Sequence, residues 1–260
     1  MALVTLMTDF GTADGYVGAM KGVLYSRAPG VRVVDVSHAI PRHDVSAAAH
    51  ALTNAVPFFP AGTIHVCVVD PGVGTDRKAV IVMHKDQILV GPDNGVFSLI
   101  APRATRAYEI SESAFLRDRP SMTFHGRDVF AAAAAEVARG GHPEDAGPQV
   151  VLRGRLPAEH AEGSAACVAH IDVFGNLITN IARAKVPEGA GFRIAGRKIA
   201  SLSESYSNVG SGELVAYIGS RETLEFAIRE GNAAETLGAS RGTVVELVLA
   251  ADVVDGAPHE

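Results

Sequence analysis

The first half of the chain alternates short apolar runs with longer segments of helical periodicity. Apolar runs bounded by turn residues predict strands, and apolar residues recurring every three or four positions predict helices. Strands are predicted at residues 3–7, 31–36 (a second buried strand), 63–69, 79–84 and 87–91, and helices at residues 16–27, 45–58 and 129–139. This alternation predicts an α/β/α domain with a mainly parallel sheet and helices on both faces, which we place at residues 1–150.

The second half has a different pattern, with short apolar runs separated by turn residues. The boundary is expected in residues 140–163, which are rich in glycine, proline and charge. Strand-like runs follow at residues 165–172, 177–181, 191–194, 214–218 and 243–249, and only residues 223–230 look helical. We expect a small antiparallel β-barrel domain at residues 163–250 and a loose tail over the last ten residues.

Composition excludes several classes of protein. A chain that is 47% hydrophobic and 20% charged can bury a core, and a net charge of −6 argues against binding to nucleic acid. The longest apolar stretch, residues 129–135, is far shorter than the roughly 18 residues of a membrane span. No basic segment precedes the first apolar run, so we expect a cytoplasmic protein without a signal peptide. Cys67 and Cys167 lie in apolar runs and are interpreted as reduced core residues.

Ligands of parallel α/β sheets bind beyond the carboxyl ends of the strands, and two aspartates occupy such positions. Asp9 follows the first predicted strand beside a glycine turn, where its carboxylate can accept hydrogen bonds from a sugar diol. A helix N-terminal loop capped by Asp14 is the alternative interpretation of this cluster. Asp70 opens a second polar cluster, in which Arg77 can fold back onto it, and the alternative there is an ordinary turn with a surface ion pair.

Two further clusters are rich in polar residues and glycine. His125 opens a helix, whose N-terminus disfavours the charged imidazole, and the alternative is a structural or exposed histidine. Asp172, Phe174 and Asn176 surround a Phe–Gly turn that can hold an amino-acid head group or an adenine edge. The alternative there is a hairpin turn in which Asn176 bonds its own backbone.

Other site chemistries find little support in the sequence. The glycines of residues 70–77 do not form a P-loop or a dinucleotide fingerprint. The histidines are scattered, and only His38 and His43, near Asp35 and Asp44, give a weak metal signal. A Gly-x-Ser-x-Gly motif is absent, which disfavours a serine hydrolase. We therefore expect no metal.

The four clusters, in this order and spacing, identify a resemblance that covers residues 3–249. It is carried by the motifs TDFGTADGYVGAMKG, VVDPGVGTDR, GPDNGVFS, FHGRDVFA, IDVFGNLITN and GSRETLEFAIREGNAA. The chain resembles the S-adenosyl-L-methionine (SAM) hydroxide adenosyltransferases, which are adenosine-forming SAM hydrolases related to fluorinase and chlorinase. The resemblance implies an α/β/α domain followed by a β-barrel, and hydrolysis of SAM to adenosine and L-methionine with no cofactor. It also implies a homotrimer with sites between one subunit's first domain and its neighbour's second.

The resemblance assigns roles to particular residues. The catalytic trio of the hydrolases matches Asp70, Arg77 and His125, and in the halogenases a neutral residue replaces Asp70 and the histidine is also replaced. Asp9 looks like the carboxylate that grips both ribose hydroxyls. The other substrate-binding residues implied are Phe124 and Tyr206 in the nucleoside pocket, Asp172, Phe174 and Asn176 at the methionine and adenine ends, and Ser220, Arg221, Asn232 and Ala233 at the methionine carboxylate and the purine. His43 stands where the fluorinase has an aromatic ring over the ribose, which implies a looser pocket.

The reaction expected is in-line attack of water or hydroxide on C5′ of the ribose. Asp70 and His125 are expected to orient the water and partly remove its proton, with Arg77 fixing Asp70. Which of the two takes the proton stays open, because a guanidinium lowers the pKa of a neighbouring carboxylate. Three alternatives also stay open: a SAM-dependent halogenase, a non-catalytic SAM- or adenosine-binding protein, and another nucleoside-processing enzyme.

Overall fold

The chain divides into two compact units, Met1–Leu156 (unit 1) and Pro157–Glu260 (unit 2). The computed structural model describes residues 2–101, 105–156 and 165–249. The predicted tail, residues 251–260, and residues 157–163 of the predicted boundary lie outside this part of the chain. No helix in the described part has the length and apolar character needed to cross a bilayer.

Unit 1 is built on a single seven-stranded sheet. Its strands are β1 (Leu3–Thr8), β2 (Arg32–Ser37), β3 (Ile64–Val68), β4 (Ala79–His84), β5 (Gln87–Pro92), β6 (Ala107–Glu109) and β7 (Gln149–Val150), and its helices are α1 (Tyr16–Arg27), α2 (Val45–Ala55) and α3 (Ala131–Ala138). The strand order is β2-β1-β3-β5-β4-β6-β7. The β1–β2, β1–β3 and β3–β5 pairs are parallel, whereas β4 pairs antiparallel with β5 and β6, and β6 antiparallel with β7. The sheet is therefore mixed, with its parallel strands at the end that carries β1 and β3.

The two faces of this sheet pack against different helices. Leu6 of β1 belongs to a buried cluster with residues of α1 and α3, whereas Met7, which points to the opposite face, belongs to a cluster with residues of α2. All five alanines of residues 131–135 are buried, which lets α3 lie close to the sheet. The predicted arrangement of helices on both faces is confirmed.

Unit 2 contains two antiparallel sheets. Its strands are β8 (Val168–Ile171), β9 (Leu177–Ala182), β10 (Ala190–Ile194), β11 (Arg197–Ile199), β12 (Leu214–Ile218), β13 (Thr223–Ile228) and β14 (Val245–Leu249), and its helix is α4 (Ala233–Leu237). One sheet has the order β12-β13-β9-β8 and the other β11-β10-β14. An isolated antiparallel bridge joins Cys167 to Val244, next to β8 and β14. The antiparallel character of this half is confirmed, and closure into a barrel stays a prediction.

Two predicted elements differ in the structure. The strand predicted as buried at residues 31–36 is β2, which pairs with β1 and is mostly exposed or half-buried. The helix predicted at residues 223–230 is wrong, since β13 occupies this segment between β12 and β9. Leu224 and Ile228 are four residues apart, a spacing that suits a helix and a strand equally. Leu224, Phe226 and Ile228 all join the core of unit 2, as alternate residues of a strand do.

Helix starts are set by particular backbone and side-chain contacts. Asp44 caps α2 as predicted, since its carboxylate accepts a hydrogen bond of 2.9 Å from the Ala47 amide. Asp14 does not cap α1, because the residue before the helix is Gly15, with φ 72° and no side-chain bond. The helix predicted at residues 129–139 begins instead as a π-helical turn, Gly126–Phe130, that continues into α3.

Candidate active site

The carboxyl ends of β1 and β3 meet at one edge of the sheet. Thr8 and Val68 are register partners at the ends of these parallel strands. Asp9 follows β1 directly, and Asp70 comes two residues after β3. The sheet therefore places both aspartates at the edge where the parallel-strand rule predicted a ligand.

A tight loop returns the chain to Asp70 before β4 begins. The Val73 amide donates to the Asp70 carbonyl at 3.2 Å, and the Thr75 amide donates to the Gly72 carbonyl at 3.1 Å. Gly74 has φ 79°, and a Cβ there would lie 2.9 Å from the Met122 carbonyl oxygen. Two successive turns and a glycine at positive φ thus bring Arg77 back over Asp70.

The structure brings Asp70, Arg77 and His125 together in one cluster, in which His125 is half-buried. Nε of Arg77 donates to both oxygens of Asp70, at 2.9 and 3.1 Å, and a terminal guanidinium nitrogen also donates to Oδ2. The same terminal nitrogen lies 2.7 Å from Nδ1 of His125. The side chains of Asp70 and Arg77 are only 4% and 10% exposed. The guanidinium also stacks 5.3 Å from the ring centre of Phe130. This geometry does not fit the alternative of a surface ion pair.

The contact with Arg77 determines how His125 is protonated. A guanidinium carries donors and no acceptor, so Nδ1 must supply the lone pair and the proton of the neutral ring sits on Nε2. Burial, together with the charge of Arg77, lowers the pKa of His125, although the carboxylates of Asp70 and Asp128 oppose the shift. The imidazole is therefore neutral at neutral pH, and its Nε2–H is a hydrogen-bond donor.

Asp9 is held by the loop that precedes α2. Its Oδ2 accepts a 2.8 Å hydrogen bond from the backbone N–H of His43. His43 has φ 65°, a left-handed backbone conformation that is uncommon for residues other than glycine. Asp9 and His43 are thus in contact, but through the backbone amide of His43. One carboxylate oxygen of Asp9 is engaged by this bond.

A polar chain behind Asp9 was missed as a unit by the sequence analysis. The hydroxyl of Thr8 lies 2.9 Å from Nδ1 of His38, and Nε2 of His38 lies 3.0 Å from Oδ1 of Asp35. Oδ2 of Asp35 accepts from Lys21 at 2.6 Å. The proximity of His38 and Asp35 in sequence gave only the weak metal signal. Within the described residues, no three His, Cys, Asp or Glu side chains come together in a way that could hold a metal ion.

Unit 1 also holds an aromatic cavity of about 470 Å³, whose lining includes Phe124, the residue before His125. It is lined by Phe10, Tyr16, Ser121, Thr123, Phe124 and Arg127. The ring of Phe124 meets those of Phe10 and Tyr16 edge-on, with centroids 6.1 and 5.3 Å away. Arg127 covers Phe124 at 4.8 Å. Phe124, predicted to contact the nucleoside, therefore belongs to a wall of three rings.

Unit 2 holds a second cavity, of about 750 Å³, where several predicted residues meet. Its lining consists of Phe174, Asn176, Tyr206, Ile228, Arg229, Glu230, Gly231 and Asn232. Four of these were predicted to bind substrate: Phe174, Asn176, Tyr206 and Asn232. The structure thus brings residues that are up to 58 positions apart into one concave surface.

Asp172 organises the loop that carries two of these residues. Its Oδ1 accepts from the amides of Phe174 and Asn176, both at 2.9 Å, and its Oδ2 accepts from the Asn176 side chain at 2.8 Å. The loop joins antiparallel β8 and β9 and is a hairpin turn. Its bonds come from Asp172, however, and the expectation that Asn176 would bond its own backbone is wrong. A Cβ at Gly175 would strike Asn232, so this glycine allows the loop to approach α4.

The remaining predicted residues lie at the turn between β12 and β13 and at the start of α4. Ser220 is exposed and Arg221 half-buried in that turn. Burial lowers the pKa of Arg221, although the neighbouring charge of Glu225 opposes the shift. Ala233 is fully buried as the first residue of α4.

Comparison with known proteins gives a consistent result over both units. Residues 4–147 match the family model described as the SAM hydroxide adenosyltransferase N-terminal domain, and residues 166–246 match the C-terminal domain. A protein of Thermus thermophilus named (R)-S-adenosyl-L-methionine hydrolase is 42% identical, over 95% of this chain and 100% of that protein. A Salinispora tropica protein of the same name is 39% identical, over 92% and 95% of the two chains.

More distant matches agree with this result. A fluorinase of Actinoplanes sp. is 26% identical over 86% of this chain and 90% of that protein. A crystal structure of an uncharacterized conserved protein from Thermotoga maritima superimposes with a TM-score of 0.84 at 32% identity, covering 94% of this chain and 100% of that chain. The fold is therefore shared with a solved structure over nearly the whole length.

Proposed function

The chain belongs to the SAM hydroxide adenosyltransferase family, and on that premise we propose that it is an enzyme that hydrolyses SAM to adenosine and L-methionine. The observation that carries the proposal is the part-buried contact of Asp70, Arg77 and His125 beyond the ends of β1 and β3. The relatives named SAM hydrolase are markedly more similar to this chain than the fluorinases are. This difference favours water over halide as the nucleophile.

The reaction exchanges one bond at C5′ of the ribose. The oxygen of water forms a bond to C5′ while the bond from C5′ to sulfur breaks, and the sulfur leaves with the electron pair as the neutral thioether of L-methionine. The leaving group is already a sulfonium, so it needs no proton. Holding the water in line with this bond lowers the entropic part of the barrier, to which good alignment contributes up to about 7–11 kcal/mol.

Each residue of the trio has a separate role in orienting or deprotonating this water. We assign proton acceptance to Asp70, because Nδ1 of His125 is already engaged by Arg77 and Nε2 carries a hydrogen. His125 then donates from Nε2 to the water oxygen and fixes its direction. Arg77 holds both partners. The negative charge of Asp70 repels an incoming halide, whereas water can donate a hydrogen bond to it.

The remaining predicted residues bind the substrate in this proposal. Asp9 accepts hydrogen bonds from the ribose hydroxyls with the oxygen that His43 leaves open. Phe124 contacts the nucleoside in unit 1. In unit 2 the substrate-binding residues are Asp172, Phe174, Asn176, Tyr206, Ser220, Arg221, Asn232 and Ala233.

We further propose that the enzyme is a cytoplasmic homotrimer in which unit 1 of one subunit and unit 2 of its neighbour share a site. Two neighbouring apolar side chains support an interface: Val173 is 92% exposed and Phe174 is 72% exposed. Apolar groups exposed to this degree side by side are typical of surfaces that another chain covers. Both cysteines are buried, which agrees with their predicted place in the core.

Hydrolysis in ¹⁸O-labelled water tests the reaction directly. We expect adenosine with one ¹⁸O in its 5′-hydroxyl, together with an equal amount of L-methionine, measured by mass spectrometry.

Asp70→Asn keeps the shape of the side chain but removes its charge, and kcat is expected to fall about 10²–10⁴-fold. Asp76→Asn, an exposed carboxylate of the same loop, is the matched control and should keep parental activity. Unlabelled adenosine, or release of adenosine by Asp70→Asn at the parental rate, would contradict the mechanism.

A further inference from the structure

Unit 2 contains a buried carboxylate to which the sequence analysis gave no role. Glu225 on β13 is 8% exposed, and its register partner on β12, Tyr217, is 6% exposed. Neither belongs to the main core of unit 2, which contains the alternating residues Ala216, Leu224 and Phe226 of the same two strands. A carboxylate away from water destabilises a fold unless hydrogen bonds and charges compensate it. The partners of Glu225 therefore indicate what it does.

One set of partners leads to the wall of the unit 2 cavity. The hydroxyl of Tyr206 donates to that of Tyr217 at 2.7 Å, and Tyr217 donates to Oε2 of Glu225 at 2.8 Å. An ionised carboxylate can only accept, which fixes the direction of both bonds. The two tyrosine rings also pack with centroids 4.7 Å apart. Tyr206 lines the cavity and is 43% exposed, so the buried pair anchors an otherwise exposed ring.

The other oxygen of Glu225 lies beneath the turn between β12 and β13. A Cβ on Gly219 would come within 1.9 Å of Oε1, so the turn rests directly on the carboxylate. The turn is closed by hydrogen bonds between Gly219 and Thr223 and between Glu222 and Gly219. This turn also carries Arg221. Burial raises the pKa of Glu225, and the hydrogen bond from Tyr217 and the charge of Arg221 oppose this shift. Glu225 thus contacts the base of the turn that presents Arg221.

We propose that Glu225 and Tyr217 are positioning residues for substrate binding, which hold Tyr206 against the cavity and fix the turn that presents Arg221. The proposal rests on the hydrolysis of SAM proposed above. Both residues act through others, Tyr217 through Tyr206 and Glu225 through the turn. Their loss should therefore weaken the binding of SAM and leave the chemical step at C5′ unchanged.

Three variants separate this role from a merely structural one. Tyr217→Phe removes both hydrogen bonds at nearly constant shape, and we expect KM for SAM to rise about fivefold to thirtyfold with kcat within about twofold of the parent. Glu225→Ala should behave similarly. Glu225→Gln keeps an oxygen that accepts from Tyr217, so KM is expected within about threefold of the parent. The matched control is Glu222→Gln, an exposed carboxylate of the same turn, which should leave both constants unchanged.

The measurements are steady-state kinetics, calorimetric binding of SAM and thermal unfolding of each variant. An unchanged KM in Tyr217→Phe would overturn the proposal. So would a fall in kcat as large as the rise in KM, accompanied by a lower unfolding temperature, because this result would indicate a purely structural role. If the parent releases no adenosine, the proposed hydrolysis fails, and calorimetry on the same variants still decides whether Tyr217 and Glu225 position the SAM-binding residues.

Discussion

Arg77 determines which member of the trio can accept a proton. Its guanidinium donates to Asp70 and to Nδ1 of His125, so His125 has no free lone pair while this contact holds. Burial and the charge of Arg77 also lower the pKa of His125, which makes the neutral ring the stable form. The site therefore depends on a neutral His125, and the negative charge stays on Asp70.

This arrangement predicts an acidic limit to activity that belongs to His125. Its ordinary pKa is near 6.5, and the folded protein lowers it. Above pH 6.5 the ring is neutral, accepts from Arg77 and supports turnover. As the pH falls through the lowered pKa, the ring gains a proton on Nδ1, repels Arg77 and loses its position. We expect kcat/KM to be level from about pH 6.5 to 8 and to fall below that range, measured as a pH–rate profile.

His125→Gln is the matched test of this prediction. A glutamine can accept from Arg77 through its carbonyl oxygen and donate to water through its amide, but it does not titrate. We expect the variant to keep activity within about tenfold of the parent. Its pH–rate profile should lack the fall at acidic pH that protonation of His125 causes. A loss of about 10²–10⁴-fold in His125→Gln would instead identify His125 as the group that takes the proton.

At the residue scale, a functional side chain can be predicted from the sequence when it lies in a segment of unusual composition. Asp70, Arg77 and His125 lie in polar, glycine-rich segments, which differ in composition from the apolar runs around them. Glu225 and Tyr217 sit in apolar runs, and their partnership depends on strand pairing between β12 and β13. The tautomer of His125 likewise depends on a contact across 48 residues. Such contacts are three-dimensional and leave no local signal.

A short element, the π-helical turn Gly126–Phe130, determines where His125 lies. Asp128 in this turn is 1% exposed and accepts from Arg127 at 2.7 Å, from Arg117 at 2.8 Å and from the Ser121 amide at 2.9 Å. These bonds lower the pKa of Asp128, chiefly through Arg127. They also tie the segment before the turn to the turn itself. Widened turns of this kind are frequent at functional sites.

Asp128→Asn should destabilise this element and the catalysis that depends on it. The amide keeps one acceptor oxygen but loses the charge and leaves hydrogen-bond donors of Ser121 and the arginines without a carboxylate. We expect the free energy of unfolding to fall by about 1–3 kcal/mol in urea denaturation, together with a lower kcat. Asp118→Asn, an exposed carboxylate of the preceding segment, is the control and should match the parent. Parental stability in Asp128→Asn would show that the carboxylate does not hold the turn.

At the scale of elements, predictions succeed where one periodicity is unambiguous. The helix Tyr16–Arg27 buries Val17, Met20 and Leu24 on one face, as its spacing predicts. The prediction is wrong at β13 because its apolar residues fit both the helical and the strand periodicity. The two strands that flank β13 in the sheet are not visible in the sequence. The three valines of β2 suggested a buried strand, but its position at the sheet edge is a property of strand order.

At the scale of the whole molecule, the predicted site residues are divided between the two units. Asp9, Asp70, Arg77, Phe124 and His125 belong to unit 1, and all the others belong to unit 2. The site proposed above therefore draws on one copy of each unit. In the proposed trimer the two copies come from neighbouring subunits, which is a heterologous contact that closes into a ring.

Mixed oligomers test this arrangement. Asp70→Asn is defective in unit 1 and Arg221→Ala is defective in unit 2, so neither alone should hydrolyse SAM appreciably at SAM concentrations well below the parental KM. When the two chains are co-expressed in equal amounts, we expect about a quarter of the parental activity per site, because that fraction of neighbouring pairs joins an intact unit 1 to an intact unit 2. The oligomer should have three times the 27.1 kDa mass of the chain by light scattering. Co-expression of Asp70→Asn with Arg77→Ala, both defective in unit 1, provides the control without recovery. If the first mixture is no more active than this control, each site lies within a single chain and the shared-site trimer is wrong.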